Sequence, residues 1–341
     1  MTTMSAPKAN GANDAVTSDG PNGTSGTKAR PTWDELKAQA HEQIKQSDID
    51  YWHEHGYVII DRFLSPEELA ECLEGFNLYM PTWEEYSKRH PMYADLHGNT
   101  PVKVPPGWVR HEFPYHSDAL NRMAVHPFLV AFAERLMGHS NMLLSHGAIV
   151  GKYAGKADYD QELHPDYTNN TLVVARKGTE SIDIPMIVFF TDVTEDLGPT
   201  FVVPTEYTEH LPPTGKRFYS RKEYPEIYEH ERPAVMPAGS VIIYNMRTFH
   251  RGSRMFAQEG LRFSQFVAFH TANTPWLGSH VFQFAGGRPE MDLFITNASP
   301  KERELVGFPP VGDDYWKDDE CRRGVAQRYP KMDMTPYGGR E

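Results

Sequence analysis

The stretch Gln161-Glu162-Leu163-His164-Pro165-Asp166 stands just before a series of segments with β-strand character. Alternate side chains of an extended chain point to the same side, so His164 and Asp166 can reach one metal ion. An imidazole and a carboxylate are two of the three ligands of the facial triad that holds non-haem iron(II) with open coordination positions. Such a pair also occurs by chance, and the chain contains a second one, His116-Ser117-Asp118. The case for a metal site therefore depends on the sequence that follows Asp166.

The sequence after Asn141 is typical of an antiparallel β protein. Segments rich in Val, Ile, Phe and Tyr alternate with clusters of Gly, Pro, Asp and Asn, which is the pattern of β-sandwiches and barrels. We therefore expect a mainly β fold with α additions. The predicted strands lie near residues 147–153, 171–176, 184–191, 199–204, 239–245 and 261–270.

The sequence before this region predicts helices. Thr32, Ser65 and Thr82 are each followed three residues later by Glu, which is the spacing of a capping box at a helix N-terminus. Residues 49–60 predict a helix that ends at Gly56 and leads into a short strand.

A further helix is predicted from about Asp118 to Met137, with Gly138 as its stop signal. This helix accounts for the second His-x-Asp pair. Ser117 or Asp118 is best explained as the N-cap residue, because both side chains accept hydrogen bonds from the first free backbone amides of a helix. We favour this role over metal binding at His116.

His250 is the candidate for the third ligand, because it follows the predicted strand at residues 239–244. Twelve residues later stands Arg262, whose side chain shares one strand face with Ser264 and Phe266. If that face is the barrel interior, the guanidinium needs an anionic partner, since an unpaired buried cation is costly. A ligand carboxylate bound by the guanidinium fork would satisfy it.

Several further motifs accompany these residues. They are Trp52-x-x-x-Gly56-Tyr57-Val58-Ile59, Phe63-Leu64-Ser65-Pro66-Glu67-Glu68, Gln161-x-x-His164-x-Asp166, and Thr191-Asp192-Val193-Thr194-Glu195-Asp196-Leu197-Gly198-Pro199-Thr200 with Val203-Pro204. Together they make most of residues 46–270 resemble the phytanoyl-CoA dioxygenase family of iron(II)- and 2-oxoglutarate-dependent oxygenases.

The resemblance implies a fold and a chemistry. The fold would be a double-stranded β-helix (a jelly-roll, cupin-like core) flanked by N-terminal helices. His164, Asp166 and His250 would bind Fe(II), and Arg262 would hold the distal carboxylate of the cosubstrate 2-oxoglutarate. Dioxygen would then hydroxylate a substrate C–H bond while 2-oxoglutarate yields succinate and carbon dioxide. Halogenating relatives replace the carboxylate ligand by a small residue, so Asp166 favours hydroxylation.

The chain departs from the family pattern at two places. It has Pro204-Thr205-Glu206-Tyr207 where relatives usually continue with Pro-Gly-Ser-His, and Gly239-Ser240 where Gly-Asp is usual. Neither change touches a candidate ligand, but the first alters a loop near the family's active site. The acyl-CoA substrate of the founding enzyme is therefore not implied.

Weaker candidates surround the triad. Ser264 either assists the same carboxylate or is simply a small inward residue. Arg110 and His111, in a Pro-rich loop before the barrel, could meet a polar substrate. Other residues placed to line the pocket, or to serve only in packing or at the surface, are Lys152, Tyr153 and Gln161.

The chain of 341 residues is expected to form one domain over residues 31–341. Residues 1–30 have hardly any large apolar side chains and predict a disordered tail. The jelly-roll core would span about 141–285, followed by a polar C-terminal extension over about 286–341. Short helices are predicted there at 299–305 and near 318–326. Its aromatic residues, which should pack on the core, are Tyr315, Trp316, Tyr329 and Tyr337.

Composition restricts the partners. A net charge of −12 argues against nucleic acid, and no apolar run approaches the ~20 residues that span a membrane. The two cysteines form no disulfide framework, and no secretion or transit signal is recognisable, so we expect a cytoplasmic protein. Its partner would be a small organic substrate, and it would be a monomer or homodimer.

Two alternatives to an oxo-acid-dependent oxygenase stay open. One is a cupin-like metal enzyme that uses no 2-oxoglutarate, against which Arg262 argues. The other is a non-catalytic binding protein on the same fold, against which the intact triad argues.

Overall fold

The computed structural model describes residues 31–93, 108–155, 157, 159–166, 183–211, 218–272, 289–317, 319, 322, 325–326 and 329–338. Residues from Thr32 onward form one compact unit, and of the residues before it only Pro31 is described. The tail predicted at residues 1–30 and the strand predicted at 171–176 lie outside the described residues.

A six-stranded antiparallel sheet forms the larger layer, with strand order β1-β7-β4-β9-β3-β2. Its strands are β1 (Tyr57–Ile60), β2 (Trp108–Glu112), β3 (Met142–Tyr153), β4 (Asp183–Phe189), β7 (Ser240–Tyr244) and β9 (Leu261–Thr271). The edge strands β1 and β2 come from outside residues 141–285, so the sheet extends beyond the core range expected from the sequence.

A three-stranded antiparallel sheet, with order β6-β5-β8, forms the smaller layer. Its strands are β5 (Thr200–Val203), β6 (Arg232–Pro233) and β8 (Phe249–Gly252). A buried apolar cluster joins Val202 of this sheet to Ile187, Phe189 and Ile242 of the larger sheet. The predicted jelly-roll core with N-terminal helices is therefore confirmed.

The outer face of the larger sheet packs on helices. Phe263, Val267 and Ile149 belong to the main hydrophobic cluster, together with helical residues such as Trp52 and Phe76. The helices are α1 (Trp33–Gln43), α2 (Gln46–His55), α3 (Pro66–Phe76), α4 (Trp83–Tyr93), α5 (Asp118–Ala124), α6 (Pro127–Met137), α7 (Pro225–Tyr228), α8 (Pro289–Asn297) and α9 (Pro300–Leu305).

The three predicted capping boxes are present. Thr32 and Ser65 each accept a hydrogen bond from the amide three residues later, and the backbone amide of each cap residue donates to the Glu side chain. Thr82 makes the same exchange with Glu85. Each box satisfies amides that a helix leaves free at its start.

The single helix predicted over 118–137 is wrong in one respect, because the structure divides it into α5 and α6. Pro127 disfavours a helical conformation at the residue before it, so α5 ends and His126 adopts an extended backbone. The His126 ring then accepts a hydrogen bond from the Phe128 amide and caps α6, whose first residue is Pro127.

The C-terminal extension packs on the core through three of its four aromatic residues. Trp316, Tyr329 and Tyr337 belong to the main hydrophobic cluster, whereas Tyr315 is 38% exposed. Helix α9 matches the prediction for residues 299–305, and the segment 318–326 is described only in part. No helix in the described part of the chain is long and apolar enough to span a membrane.

Candidate metal centre

The two triad histidines face each other across an antiparallel bridge. His250 lies on β8, whose backbone pairs with the segment that contains His164. The amide of each histidine donates to the carbonyl of the other at 3.0 Å. Their ring centroids lie 4.6 Å apart. A strand and a neighbouring extended segment thus hold both imidazoles at one place.

The hydrogen bonds of the imidazoles determine which nitrogen can bind a metal. Nδ1 of His164 lies 2.9 Å from the carbonyl oxygen of Glu162, and Nδ1 of His250 lies 3.0 Å from that of Thr248. A carbonyl only accepts, so each Nδ1 carries the proton and donates it. The Nε2 atom of each ring is left with a lone pair for coordination.

Asp166 completes the group. Its Oδ1 lies 3.7 Å from Nε2 of His250, and its Oδ2 accepts a hydrogen bond of 2.9 Å from the Tyr244 hydroxyl. Burial opposes ionisation of this carboxyl, but His250, His164 and the Tyr244 hydroxyl outweigh it and lower its pKa below the ordinary value. Asp166 is therefore an anionic donor.

The donor atoms of His164, Asp166 and His250 all lie within 4.8 Å of one another. Two imidazoles that present Nε2 and one carboxylate, all oriented by hydrogen bonds, are the donor set of a facial triad for non-haem iron(II). The residues present therefore fit a metal ion of this class.

Gln161 is hydrogen-bonded to the end of β8. Its side-chain Oε1 accepts from the Gly252 amide at 2.8 Å, and its backbone amide donates to the Gly252 carbonyl at 2.9 Å. Gln161 therefore fastens the start of the triad segment to the end of β8.

Arg262 is buried on the inner face of β9, with 3% of its surface exposed. Its Nη1 donates to the Gly198 carbonyl, and its guanidinium carbon lies 5.3 Å from the centroid of the Phe189 ring. Its Nε is buried without a hydrogen-bond partner among the described residues. Burial lowers the pKa of Arg262 to about 10, so the side chain stays cationic at neutral pH. An unpartnered donor on a buried cation fits a bound carboxylate.

Lys152 is the residue of β3 directly opposite Arg262 on β9. It is 2% exposed, and its Nζ donates to the Ser253 carbonyl at 2.5 Å. Burial, followed by the nearby charge of Arg262, lowers the pKa of Lys152 to about 6. The sequence left open whether Lys152 lines the site or only packs. In the structure its side chain lies on the same sheet face as Arg262.

The other weak candidates divide between the two faces of the sheet. Ser264 lies on the same face as Arg262, with its hydroxyl 3.5 Å from the Val150 carbonyl. Tyr153 lies on the opposite face, where its hydroxyl donates to the Pro81 carbonyl at 2.7 Å. Tyr153 is thus a packing residue.

Arg110 and His111 belong to strand β2, not to a loop as expected from the flanking prolines. Pairing with β3 provides the backbone partners that make this segment a strand. Arg110 lies on the inner face, where its Nη2 is 2.8 Å from Nε2 of His146. His111 points to the other face and packs its ring 4.9 Å from that of Tyr79.

The second His-x-Asp pair lies outside the site, as predicted. Ser117 is the N-cap of α5, and its hydroxyl accepts from the Leu120 amide. His116 contacts Glu290 at 3.1 Å, and Asp118 pairs with Arg122 at 3.2 Å.

Two functional candidates were missed from the sequence. Tyr244 ends a predicted strand, where an aromatic residue ordinarily serves the core, so no signal distinguished it. Asp183, at the start of β4, is buried and accepts a hydrogen bond of 2.7 Å from Ser145. Burial raises its pKa to about 7, and the charge of Asp166 adds to the increase. Asp183 therefore lies close to the metal centre.

The chain matches a known family in sequence and several solved structures in fold. A profile of the Phytanoyl-CoA dioxygenase (PhyH) family matches residues 52–256, well over half of the chain. No curated protein matches the chain in sequence at a significant level.

Solved structures match the fold. The non-haem α-ketoglutarate-dependent carbocyclase SnoK from nogalamycin biosynthesis aligns with a TM-score of 0.52 and 17% identity, over 72% of this chain and 91% of its own. The epimerase SnoN, in complex with Fe3+, α-ketoglutarate and nogalamycin RO, aligns with a TM-score of 0.52 and 19% identity, over 74% of this chain and 91% of its own. At this identity the likeness shows a shared fold.

Proposed function

The chain belongs to the phytanoyl-CoA dioxygenase family, and we propose that it is an iron(II)- and 2-oxoglutarate-dependent oxygenase that hydroxylates a C–H bond of a small organic substrate. One observation carries the proposal. The triad of His164, Asp166 and His250 occurs in the same jelly roll as Arg262, a buried cation whose Nε has no hydrogen-bond partner in the described part of the chain. A metal site and a carboxylate site together are what this cosubstrate requires.

Each residue has a distinct part in the proposal. Nε2 of His164, Nε2 of His250 and the Asp166 carboxylate would hold the iron, and Tyr244 would orient the carboxylate. Arg262 would bind the distal carboxylate of 2-oxoglutarate as an ion pair with hydrogen bonds. Bound iron would allow dioxygen to oxidise the substrate, and this oxidation is coupled to decarboxylation of the oxo-acid. The buried walls of the jelly roll keep bulk water from the reacting atoms.

Hydroxylation is the outcome that we propose, because Asp166 retains the carboxylate that halogenating relatives lack. SnoK is a carbocyclase and SnoN is an epimerase, so in those proteins the same fold carries other outcomes. Conversion to succinate is common to the proposed chemistry whatever the substrate. It therefore serves as the first test.

The test combines metal binding with cosubstrate turnover. Wild-type protein should bind one Fe(II) per chain under anaerobic conditions and then convert 2-oxoglutarate to succinate when oxygen is admitted. His164→Ala, Asp166→Ala and His250→Ala should each lose metal retention and succinate formation, because each removes one of three donors. Metal content and succinate are measured on the same samples.

His116→Ala is the matched control, since it removes a histidine from the other His-x-Asp pair and should retain both properties. Wild-type metal retention in His164→Ala or His250→Ala would contradict the proposed ligands. Metal binding without any succinate, whatever the substrate supplied, would favour the cupin-like alternative.

A further inference from the structure

Two buried basic side chains lie on the same face of the larger sheet, on neighbouring strands. Lys152 and Arg262 are directly opposed in the β3–β9 register, so their side chains share that face. They are 2% and 3% exposed, respectively. Two like charges opposite one another at this burial would be costly, and burial together with the charge of Arg262 lowers the pKa of Lys152 to about 6. A buried amine held beside a buried guanidinium requires an explanation.

The backbone contacts of the two cations converge on two joined loops. Nζ of Lys152 donates to the Ser253 carbonyl, and Nη1 of Arg262 donates to the Gly198 carbonyl. The hydroxyl of Ser253 donates in turn to the carbonyl of Pro199, the next residue after Gly198, at 2.7 Å. Both basic side chains therefore end beside the same pair of segments.

The described part of the chain provides no carboxylate in an ion pair with either cation. Asp160 affects the pKa of Lys152 less than burial and Arg262 do. Its carboxylate is already held by Arg251 at 3.0 Å and by Arg254 at 2.7 Å. The buried Nε of Arg262 has no partner among these residues. The charge of Arg262 thus has no anionic partner among the described residues, and the amine of Lys152 lies on the same sheet face.

We propose that Lys152 is a second anchor for the distal carboxylate of the oxo-acid, acting as a cation beside Arg262. This inference rests on the proposed function. The planar guanidinium provides a fork for two oxygens, whereas the ammonium provides a compact charge that can approach from the adjacent strand. A carboxylate bound between them would pair with Arg262 and favour the charged form of Lys152, and so gain two attractions.

The proposal has a consequence for protons. In the free protein the pKa of Lys152 is about 6, so the amine is largely neutral at neutral pH. The charged groups that face it are Arg262 from β9 and, from the loops, Asp160 with its partners Arg251 and Arg254. A carboxylate bound beside Lys152 raises that pKa, so binding takes up a proton above pH 6. Affinity for the oxo-acid then falls as pH rises, by up to about tenfold per unit.

The experiment is calorimetric titration of Mn(II)-loaded protein with 2-oxoglutarate at about pH 7.5, in buffers that differ in ionisation enthalpy. Titration with 2-oxobutanoate, which lacks the distal carboxylate, gives the contribution of the keto-acid end alone. The difference between the two acids is the contribution of the distal carboxylate. Wild type should take up more protons with 2-oxoglutarate than with 2-oxobutanoate. Lys152→Met should abolish that difference and weaken 2-oxoglutarate binding by roughly 30-fold or more, while binding 2-oxobutanoate like wild type.

Three results would overturn the proposal. Equal proton uptake by wild type with the two acids would show that Lys152 does not become charged, and this measurement needs no variant. Wild-type affinity in Lys152→Met combined with weak binding in Arg262→Met would leave Arg262 as the sole anchor and the proposed function intact. Wild-type affinity in both variants would remove the carboxylate site and the proposed cosubstrate with it.

Discussion

Tyr244 contacts the candidate metal ligands without being one of them. Its hydroxyl donates to Oδ2 of Asp166, while Oδ1 of the same carboxylate faces His250. The Tyr244 ring also lies 4.7 Å from the His250 ring, centroid to centroid. One side chain therefore contacts two of the three candidate ligands. Such outer contacts fix ligand orientation before the metal arrives.

Tyr244→Phe should weaken Fe(II) binding by about 10- to 100-fold, because Asp166 loses the hydrogen bond that orients it. The buried ring remains, so the fold should persist. Anaerobic metal titration measures the effect.

Tyr153→Phe removes an equally buried hydroxyl from the other face of the sheet. It should cost about 1 kcal/mol of stability and leave metal affinity unchanged. Equal metal affinities in the two variants would deny Tyr244 this role.

The sequence was most informative where chemistry and spacing coincide. His164, Asp166, His250 and Arg262 were all identified from residue type and strand alternation, and the structure brings the three metal candidates together. Lys152 was only one of several candidates. Its opposition to Arg262 depends on the register of β3 and β9, which are more than a hundred residues apart in sequence. Long-range register is not visible in local patterns.

Gly56 connects the first helices to the strand that contains His250. It ends α2 with φ +78° and leads into β1. Its carbonyl accepts hydrogen bonds from the Asn245 amide at 2.8 Å and from the Thr248 hydroxyl at 2.6 Å. The Thr248 carbonyl in turn orients the His250 ring. A turn outside the jelly roll thus helps to place a candidate ligand.

Gly56→Ala should destabilise the protein by roughly 2–4 kcal/mol, measured by denaturant unfolding. The new Cβ would lie 2.3 Å from Thr205 Cγ2 and 2.8 Å from Thr248 Oγ1, on a left-handed backbone. Metal affinity should fall as well. Gly138→Ala shares the left-handed backbone but has no atom within 4 Å of its Cβ. It should cost about 1–2 kcal/mol and spare the metal. Equal losses in both variants would contradict the coupling.

Elements with strong local signals were predicted well, and those that depend on distant partners were not. Capping boxes and the stop at Gly56 fixed helix ends because the hydrogen bonds lie within a few residues. Strand β2 was read as a loop, since its flanking prolines suggest irregular structure and only β3 gives it a partner. The break before Pro127 was locally encoded but was given less weight than the apolar periodicity around it.

The C-terminal extension belongs to the main core despite its polar composition. Trp316 is 4% exposed, donates from Nε1 to the Pro309 carbonyl at 3.0 Å, and packs 4.3 Å from the Tyr337 ring. Arg303 is also buried, with Nε bonded to the Ile295 carbonyl at 2.8 Å. These contacts fix the extension to the helical side of the larger sheet, away from the metal centre.

Trp316→Ala should lower the free energy of unfolding by about 3–5 kcal/mol, because it leaves a large cavity in the main cluster. Tyr315→Ala removes the neighbouring aromatic side chain, which is 38% exposed, and should cost less than about 1 kcal/mol. Denaturant unfolding of both variants makes the comparison. Similar losses for the pair would show that the extension is not part of the cooperative core.

His164 and His250 pair through their backbones and are also two of the three proposed metal ligands. Opening this pair would therefore also separate the donor atoms. By mass action, an ion that binds only the closed form stabilises it by RT ln(1 + [M]/Kd), where [M] is the free metal concentration. With iron held by these ligands, the free iron concentration would set how often this edge of the barrel opens. Loss of metal would then expose the triad segment before the rest of the fold is affected.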